Sequence, residues 1–257
     1  MSPTFPLYYT LPFNTLPSHR KHLRFLYNRV ASRTEYVFNM TVPEKVLLEK
    51  HLNELHIACV KGDMYVIHQL FEQHGVTIDD ARSNYNRCLF CACEYGRIEV
   101  VRYLFEEVGF TDIDARYKNG AAFIHACESG NTELVRYLVE TVGLTVRDAQ
   151  ISTKTALLHS CMQGHIEVVQ YLVNEVGLNI DDVEETNYDC VYIPCKNGHR
   201  EIVEFLISEL TLSRSRLYDV AVRMRDHVID RYGREEADIP PKVMECIEIL
   251  NDAAYYT

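Results

Sequence analysis

The chain has 257 residues and carries 37 Asp and Glu against 26 Lys and Arg, a formal net charge of −11 at pH 7. This acidity disfavours nucleic-acid binding, because such binding requires basic side chains to neutralise phosphates. Hydrophobic residues make up 47% of the chain, but the sequence contains no run of about 18 or more apolar residues, so no membrane span is expected.

The first 40 residues differ in composition from the rest. Residues 1–17 are rich in proline and aromatic residues without periodicity, which predicts an extended or disordered arm. A helix with one basic face is predicted at 18–38, and residues 1–45 hold six Lys and Arg against two Asp and Glu. Two interpretations stay open: a docking arm for an acidic partner, a nucleic acid or a membrane surface, and a solvated helix face that covers the adjoining part of the chain.

A short helix is predicted to begin near Thr41. Thr41 is a favourable N-cap, Pro43 suits the first turn, and Glu44 lies at the positive end of the helix. Apolar residues of this helix are expected to shield the neighbouring region of the chain. They are Val46, Leu47 and Leu52.

From residue 53 to 213 the sequence repeats with a period of 34. Two series of glycines and one of cysteines keep this spacing. The glycines are therefore interpreted as residues that end structural elements in each unit, and not as a phosphate-binding loop. The series are Gly62, Gly96, Gly130, Gly164 and Gly198; Gly75, Gly109, Gly143 and Gly177; and Cys59, Cys93, Cys127, Cys161 and Cys195. A fixed period of about 20 to 50 residues is typical of a solenoid, whose units bury their apolar faces against one another.

Each unit is predicted to contain two helices and a loop. In the unit 121–154, apolar residues at i, i+3 and i+4 predict a first helix that ends at Gly130, and a second stripe predicts a helix that ends at Gly143. Residues 144–154 are expected to form an extended polar excursion. The apolar residues of the two stripes are Phe123, Ala126, Cys127, Leu134, Val135, Leu138 and Val139.

An aspartate stands near the start of every loop between units. These residues are Asp80, Asp114, Asp148 and Asp182. An acid at one phase of every unit favours a turn-forming, backbone-bonding role over a catalytic one. The residues after each aspartate, at the tip of the loop, vary from unit to unit. Variable loop tips on a constant helical framework suit a recognition surface.

The repeat resembles the ankyrin repeat. The likeness rests on the helix–turn–helix with a projecting loop and on the run Gly-His-Ile-Glu-Val-Val at 164–169, and it covers about Asn53 to Ser213 in five units. Each unit is one residue longer than the family's usual repeat of about 33, and the Leu-His-x-Ala signature stands only at 55–58. The resemblance implies an all-α solenoid that binds a partner protein in a groove lined by loop tips and first-helix ends.

Partner-binding residues are assigned by their position in this implied groove. Four of them are predicted anchors, Arg82, Tyr95, Arg116 and Tyr117, since Tyr and Arg dominate hot spots. The full set is Arg82, Asn84, Tyr95, Arg116, Tyr117, Lys118, Gln150, Ser152, Met162, Glu184 and Glu185. The groove is expected to change sign, from basic and aromatic at 82–118 to acidic at 184–185. The alternative that these are solvated loops stays open.

The sequence contains no phosphate-loop, dinucleotide, nucleophile-elbow or zincin motif, so neither an enzyme nor a cofactor is predicted. His125 and His159 occupy repeat positions, which favours packing and helix-end hydrogen bonding over a Cys/His nucleophile pair. A metal site at Cys88, Cys91 and Cys93 is disfavoured, because the last two lie about 200° apart on one helix. Nine cysteines, five of them at one repeat position, predict free thiols in a reducing compartment.

After Ser213 the 34-residue phase is lost. Residues 214–232 predict a helix, Gly233 its end, and Pro241 the start of a last helix. We interpret these elements as a degenerate sixth unit that caps the solenoid, with a partner-docking box as the functional alternative. The predicted apolar residues are Leu217, Val220, Ala221, Met224 and Val228, then Val243, Ile247 and Leu250.

The sequence thus predicts three segments: a basic arm and helix at 1–40, a solenoid with an N-terminal capping helix at 41–213, and a cap at 214–257. The leading hypothesis is a monomeric, intracellular scaffold of the cytoplasm that binds an unidentified protein, with the nucleus left open as its compartment. The alternative is an adaptor, in which one of the two ends recruits other machinery such as a ubiquitin ligase.

Overall fold

The structure, a computed structural model, describes residues 40–210, 212–232 and 239–255, except the side chains of residues 146, 149–155 and 255. Within these ranges the chain consists of helices and turns, without strands. The chain divides into two compact parts, residues 1–49 and 50–257, and the second contains the stacked helices. The predicted basic helix at 18–38 and the predicted helix end at Gly233 lie outside the described residues.

The helices succeed one another with short connections. They are α1 Val42–Lys61, α2 Met64–Glu72, α3 Ile78–Ala81, α4 Ser83–Glu94, α5 Ile98–Tyr103 with a π-helical continuation Leu104–Val108, α6 Asp112–Ser129, α7 Thr132–Glu140, α8 Val146–Gln163, α9 Ile166–Asn174, α10 Ile180–Glu185, α11 Asp189–Asn197, α12 Arg200–Glu209, α13 Arg214–Tyr232 and α14 Pro241–Tyr255. The helices α4, α6, α8 and α11 contain the first helices of successive units and pack side by side in that order.

The predicted apolar stripes meet in one connected core. It runs from Leu55 to Ala253, so no unit has a core of its own. In the unit 121–154, all seven stripe residues belong to this core or pack against it. The small residues where the first helices of neighbouring units touch are also buried. One of them is Ser160, whose hydroxyl donates a hydrogen bond to the Ala156 carbonyl at 2.8 Å. The predicted all-α stack is thereby confirmed.

The loops between units contain capped helical turns, which corrects the expected extended excursion at 144–154. Helix α8 already begins at Val146, because Thr145 and Asp148 form a capping box. The Asp148 carboxylate accepts a hydrogen bond from the Thr145 N–H at 2.8 Å, and the Thr145 hydroxyl accepts one from the Asp148 N–H at 3.4 Å. The same arrangement pairs Thr77 with Asp80, Thr111 with Asp114, and Asn179 with Asp182. The backbone-bonding role predicted for the aspartates is therefore confirmed.

A left-handed turn comes after three of these capped turns. Its residues occupy equivalent positions of the 34-residue repeat: Asn84, Tyr85 and Asn86; Lys118, Asn119 and Gly120; and Asn187 and Tyr188. A non-glycine residue in this region costs about 1 kcal/mol or more, and asparagine tolerates it best. Tyr188 is buried and its hydroxyl donates to Glu184 at 2.8 Å, whereas Tyr85 and Lys118 are exposed.

Two arginines bind the capping aspartate of the next unit. The Arg82 Nε and Nη2 groups donate to the two Asp114 carboxylate oxygens at 2.8 and 2.7 Å. Arg116 donates from Nε to Asp148 at 2.7 Å and from Nη2 to the Gly143 carbonyl at 2.9 Å. The Arg116 guanidinium, helped by the Thr145 N–H, lowers the pKa of Asp148 to about 2. Each of these aspartates thus caps its own turn and also ties it to the preceding unit.

Helix α1 begins at Val42, as predicted, but it is one helix of 20 residues and not a short one. The Glu44 carboxylate reaches back and accepts a hydrogen bond from the Thr41 N–H at 2.7 Å. Leu52 is buried, but Val46 and Leu47 are exposed. The expectation that all three residues shield their neighbours is therefore wrong for Val46 and Leu47, and a capping role for this helix stays a prediction.

The C-terminal helices lie where the sequence predicts them. The five predicted residues of α13 are buried, and in α14 Val243 and Leu250 are buried while Ile247 is half-buried. The two helices pack against each other and against α11, and α14 also packs against α12. They therefore bury apolar surface of the unit that precedes them.

Two glycines in left-handed turns predict unequal costs of substitution. A Cβ added to Gly130 would lie 2.5 Å from the His165 ring, and that ring is fixed because its Nε2 lies 3.0 Å from the Glu128 carbonyl oxygen. A Cβ added to Gly143 would meet nothing within 4 Å. We expect Gly143→Ala to lower the free energy of unfolding by about 1 kcal/mol, the conformational cost alone. Gly130→Ala should lose roughly 2–4 kcal/mol, because overpacking is added. Urea unfolding measures both, and equal losses would contradict the account.

The pair between Arg116 and Asp148 predicts a sensitivity to acid. The pKa of Asp148 falls from its ordinary 3.8 to about 2 on folding, so the stabilisation is complete above pH 4 and is lost as the pH falls towards 2. Arg116→Gln should therefore cost roughly 1 kcal/mol at pH 7, a figure reduced for solvent screening, and progressively less below pH 4.

Arg225→Gln is the matched control, because within the described residues the one ion pair of Arg225 is with its exposed neighbour Asp226, at 3.7 Å. Urea unfolding between pH 7 and pH 3 should show little change for this variant at any pH. A loss for Arg116→Gln that does not depend on pH would argue against the ion pair as its cause.

Candidate partner-binding face

Half-buried apolar residues form a lane along the first helices of successive units. Phe90, Ile124, Leu158 and Tyr192 occupy one repeat position on α4, α6, α8 and α11, and each packs against the core while staying partly open to solvent. Because these helices pack side by side, the four residues succeed one another across the stack. We call this set the apolar lane. The sequence analysis missed it, although its signal, a large apolar residue at one phase of four units, is present in the sequence.

A carboxylate lies between two histidines near the middle of the same face. The Glu128 oxygens are 3.3 Å from the His125 Nδ1 and 3.2 Å from the His159 Nδ1. The Glu128 carbonyl is also 3.0 Å from the His165 Nε2. The contacts join α6 to α8 and α9, which agrees with the structural role predicted for the two histidines.

The buried thiols are poor candidates for chemistry. Burial raises the pKa of the Cys93, Cys127 and Cys161 thiols well above the ordinary value, so they stay protonated at neutral pH. All nine cysteines are free. Among the described residues, no group of three or more His, Cys, Asp or Glu side chains has an arrangement that would hold a metal ion. Within the same ranges, every helix is too short or too polar to span a membrane.

Exposed aromatic residues border the apolar lane between α4 and α6. The Tyr117 ring stacks on the Phe90 ring with centroids 6.4 Å apart. The Lys118 ammonium lies 3.9 Å from the centroid of the Tyr85 ring, a cation–π contact between successive units. Tyr85 is 63% exposed, Tyr117 41% and Tyr95 49%. We call Tyr85, Tyr117 and Lys118 the aromatic tip.

The predicted anchors have different surroundings in the structure. Tyr95 and Tyr117 are exposed, as a binding anchor must be. Arg82 and Arg116 hold the aspartates of the next unit, and Arg116 also contacts Asp112. Their guanidinium groups therefore have a structural role that the sequence analysis did not foresee, because their partners lie 32 residues away.

The other predicted site residues are spread over several surroundings. Asn84 and Glu185 are exposed, Glu184 is exposed and accepts the Tyr188 hydroxyl, and Met162 is half-buried. Gln150 and Ser152 lie inside α8 and not on an extended tip, because the capping box at Thr145 starts the helix early. The structure brings Tyr117 and Lys118 together with Tyr85, which the sequence analysis missed.

The groove is expected to be basic at residues 82–118, and the structure places its unpaired positive charge on residues other than the predicted arginine anchors. Among the described residues, no carboxylate forms an ion pair with Lys118 or Arg87, whereas Arg82 and Arg116 are neutralised by aspartates. Lys118 of the aromatic tip and Arg87 on α4 are therefore the exposed cations that remain here. The acidic end predicted at Glu184 and Glu185 is exposed.

Comparison with known proteins agrees with this architecture. A family model described as ankyrin repeats, with three copies, matches residues 55–148 and 123–214. The two matches overlap and together extend over more than half of the chain. No curated protein matches the chain. The three copies leave the predicted count of five units open. Ankyrin repeats are in general protein–protein interaction modules, and on the extent of this match the chain belongs to the ankyrin-repeat family.

Proposed function

We propose that the chain is a scaffold without enzymatic activity, which binds a partner protein across the apolar lane and the aromatic tip. The observation that carries this proposal is the partly open row of Phe90, Ile124, Leu158 and Tyr192 with exposed tyrosines at its edge. Contiguous apolar surface on a folded protein marks an interaction site, and aromatic residues are enriched where partners bury surface. Of the predicted binding residues, the exposed Tyr117 stacks on Phe90 of this row.

The alternative that the tips are simply solvated loops accounts poorly for Tyr85. A solvated loop has no use for a large aromatic residue in a left-handed conformation, where asparagine or glycine costs less. The equivalent positions in the other two left-handed turns hold Asn119 and Asn187. Asparagine at position 85 would cost less backbone strain than the exposed tyrosine does. A tyrosine is expected there only where function outweighs stability.

The free cysteines favour a reducing compartment for this function. Nine free thiols in one chain fit the cytoplasm, with the nucleus as the other candidate, because such thiols persist where disulfides are kept reduced. We also propose that the chain binds its partner as a monomer.

An adaptor is the second candidate function, and an observation on α13 favours it. The helix buries one side in the stack but presents Ile229, which is 41% exposed, beside the exposed Arg225. In this proposal α13 or residues 1–40 would recruit other machinery, such as a ubiquitin ligase. Removing α13 is a poor test, because Met224 and Val228 belong to the core. Ile229→Ala tests it without unfolding: an adaptor would lose one captured protein and keep the others.

The scaffold proposal predicts the effect of truncating three tyrosines. Affinity purification with mass spectrometry is performed on the full chain and on the triple variant Tyr85→Ala, Tyr95→Ala and Tyr117→Ala. We expect the main captured protein to fall by at least roughly tenfold, since one hot-spot residue is worth about 2 kcal/mol. The fold should persist, because all three side chains are exposed.

Tyr65→Ala is the matched control, as Tyr65 is 71% exposed on α2, the second helix of its unit. Circular dichroism verifies that every variant is folded. Capture that survives the triple change undiminished, or that is lost equally with Tyr65→Ala, would refute the assignment of the binding face.

A further inference from the structure

We propose that the aromatic tip receives an acidic side chain of the partner, placed in a linear segment beside an aromatic or aliphatic residue. Lys118 would hold the carboxylate, and the Tyr85 and Tyr117 rings would contact the apolar neighbour. This inference rests on the proposed function, because it names the chemistry of the partner at the same face.

The geometry of Lys118 leaves its donors available. Its ammonium lies 3.9 Å from the Tyr85 ring centroid, and a contact with a ring face uses the charge without consuming all three N–H donors. Tyr85 belongs to one unit and Lys118 to the next, so the stack itself fixes the position of the cation. A carboxylate that approaches this tip meets an ordered cation beside exposed rings, which lowers the entropic cost of binding.

The charges around the tip favour an anion. Asp114 and Asp148 are bound by Arg82 and Arg116, and Asp112 also contacts Arg116. These ion pairs offset the charge of Asp114 and part of the charge of Asp112 and Asp148. Asp79 and Asp80 of the preceding loop have no ion-pair partner among the described residues, so the attraction for an anion is local to Lys118.

Lys118 and Arg87 have no ion-pair partner among the described residues. The exposed Glu94 on α4 lies seven residues beyond Arg87, two helical turns and about 10 Å along the axis. In a chain of net charge −11, this is a local cationic spot, and it would repel a basic segment.

Backbone strain independently distinguishes Tyr85 and Lys118. Their φ values are 65° and 52°, in the left-handed region. Tyr188, in the third turn, offsets this cost by burial and a hydrogen bond to Glu184. Tyr85 has no such burial, and asparagine stands at its position in the other two turns. The strained turns therefore present the ring and the ammonium to solvent, in contact with each other and accessible to a ligand.

The experiment is a selection of displayed random peptides of 12 residues on the full purified chain at physiological salt. We expect Asp and Glu to be enriched about threefold or more over the starting library, next to aromatic or aliphatic residues. The selection is repeated on Lys118→Glu, where the acidic preference should vanish or reverse. Lys50→Glu is the matched control, since it makes the same charge change at an exposed lysine of α1, and it should keep the preference.

Binding of the most enriched peptide is then measured by fluorescence anisotropy. Replacing its acidic residue by the amide should weaken binding to the wild-type chain about fivefold, and should change binding to Lys118→Glu little. Tyr85→Asn adds a second measurement: peptide binding should weaken, while the urea midpoint of unfolding should not fall, because asparagine tolerates the left-handed turn.

The outcomes separate this inference from the proposed function. Peptides that bind through the three tyrosines but show no acidic preference, or an equal preference with Lys118→Glu, overturn the inference and leave the scaffold function standing. Peptides that bind the triple tyrosine variant as well as the wild type overturn both. No selected peptide at all overturns the inference, which requires a linear segment, and leaves the scaffold function to the affinity purification. A single-stranded oligonucleotide that binds more tightly than the peptide in a Lys118-dependent manner would show that the anion is a phosphate, and would also overturn the inference.

Discussion

The stack depends on the burial that successive units provide for one another. A pair of short helices has too little interior to bury its own apolar residues, and here Phe123, Ala126 and Cys127 are buried in a core that runs on from unit to unit. Close approach of the first helices requires small residues where they touch. For this reason alanine or serine recurs at that phase, and the cysteine beside it acts as a small hydrophobic residue with a protonated thiol.

The capping aspartates connect this packing to the outer edge of the stack. Asp114 and Asp148 each satisfy backbone N–H groups at the start of a helical turn, and each also binds an arginine of the preceding unit. The arginines are thereby withdrawn from the surface on which a partner would settle. The same side of the stack carries the apolar lane, exposed tyrosines, and the cations Lys118 and Arg87, which have no ion-pair partner in the described part of the chain. In the proposed function, these features are the ones that a partner contacts.

In the proposed function, stability and recognition use different parts of the same repeat. The glycines that end the helices and the residues of the capping boxes keep one geometry from unit to unit, whereas the left-handed turns between them carry different side chains. At Asn119 and Asn187 the residue suits the turn, but at Tyr85 an aromatic side chain occupies a conformation that opposes it. Such a departure from local preference is expected where function competes with stability.

The sequence by itself determined the helical stack, because its signals are local and repeated: apolar stripes, helix-ending glycines and capping aspartates each act within a few residues. It also placed α13 and the start of α14 correctly. The capped turn at Thr145 was predictable in principle from its Thr-x-x-Asp pattern, and was missed because a polar stretch was interpreted as extended. Only the tertiary structure decided which side chains are free to bind. The partner of Arg82 lies 32 residues away, and the contact of Tyr85 with Lys118 exists only where two units meet. Contacts between units depend on how helices stack, and no local pattern within one unit specifies them.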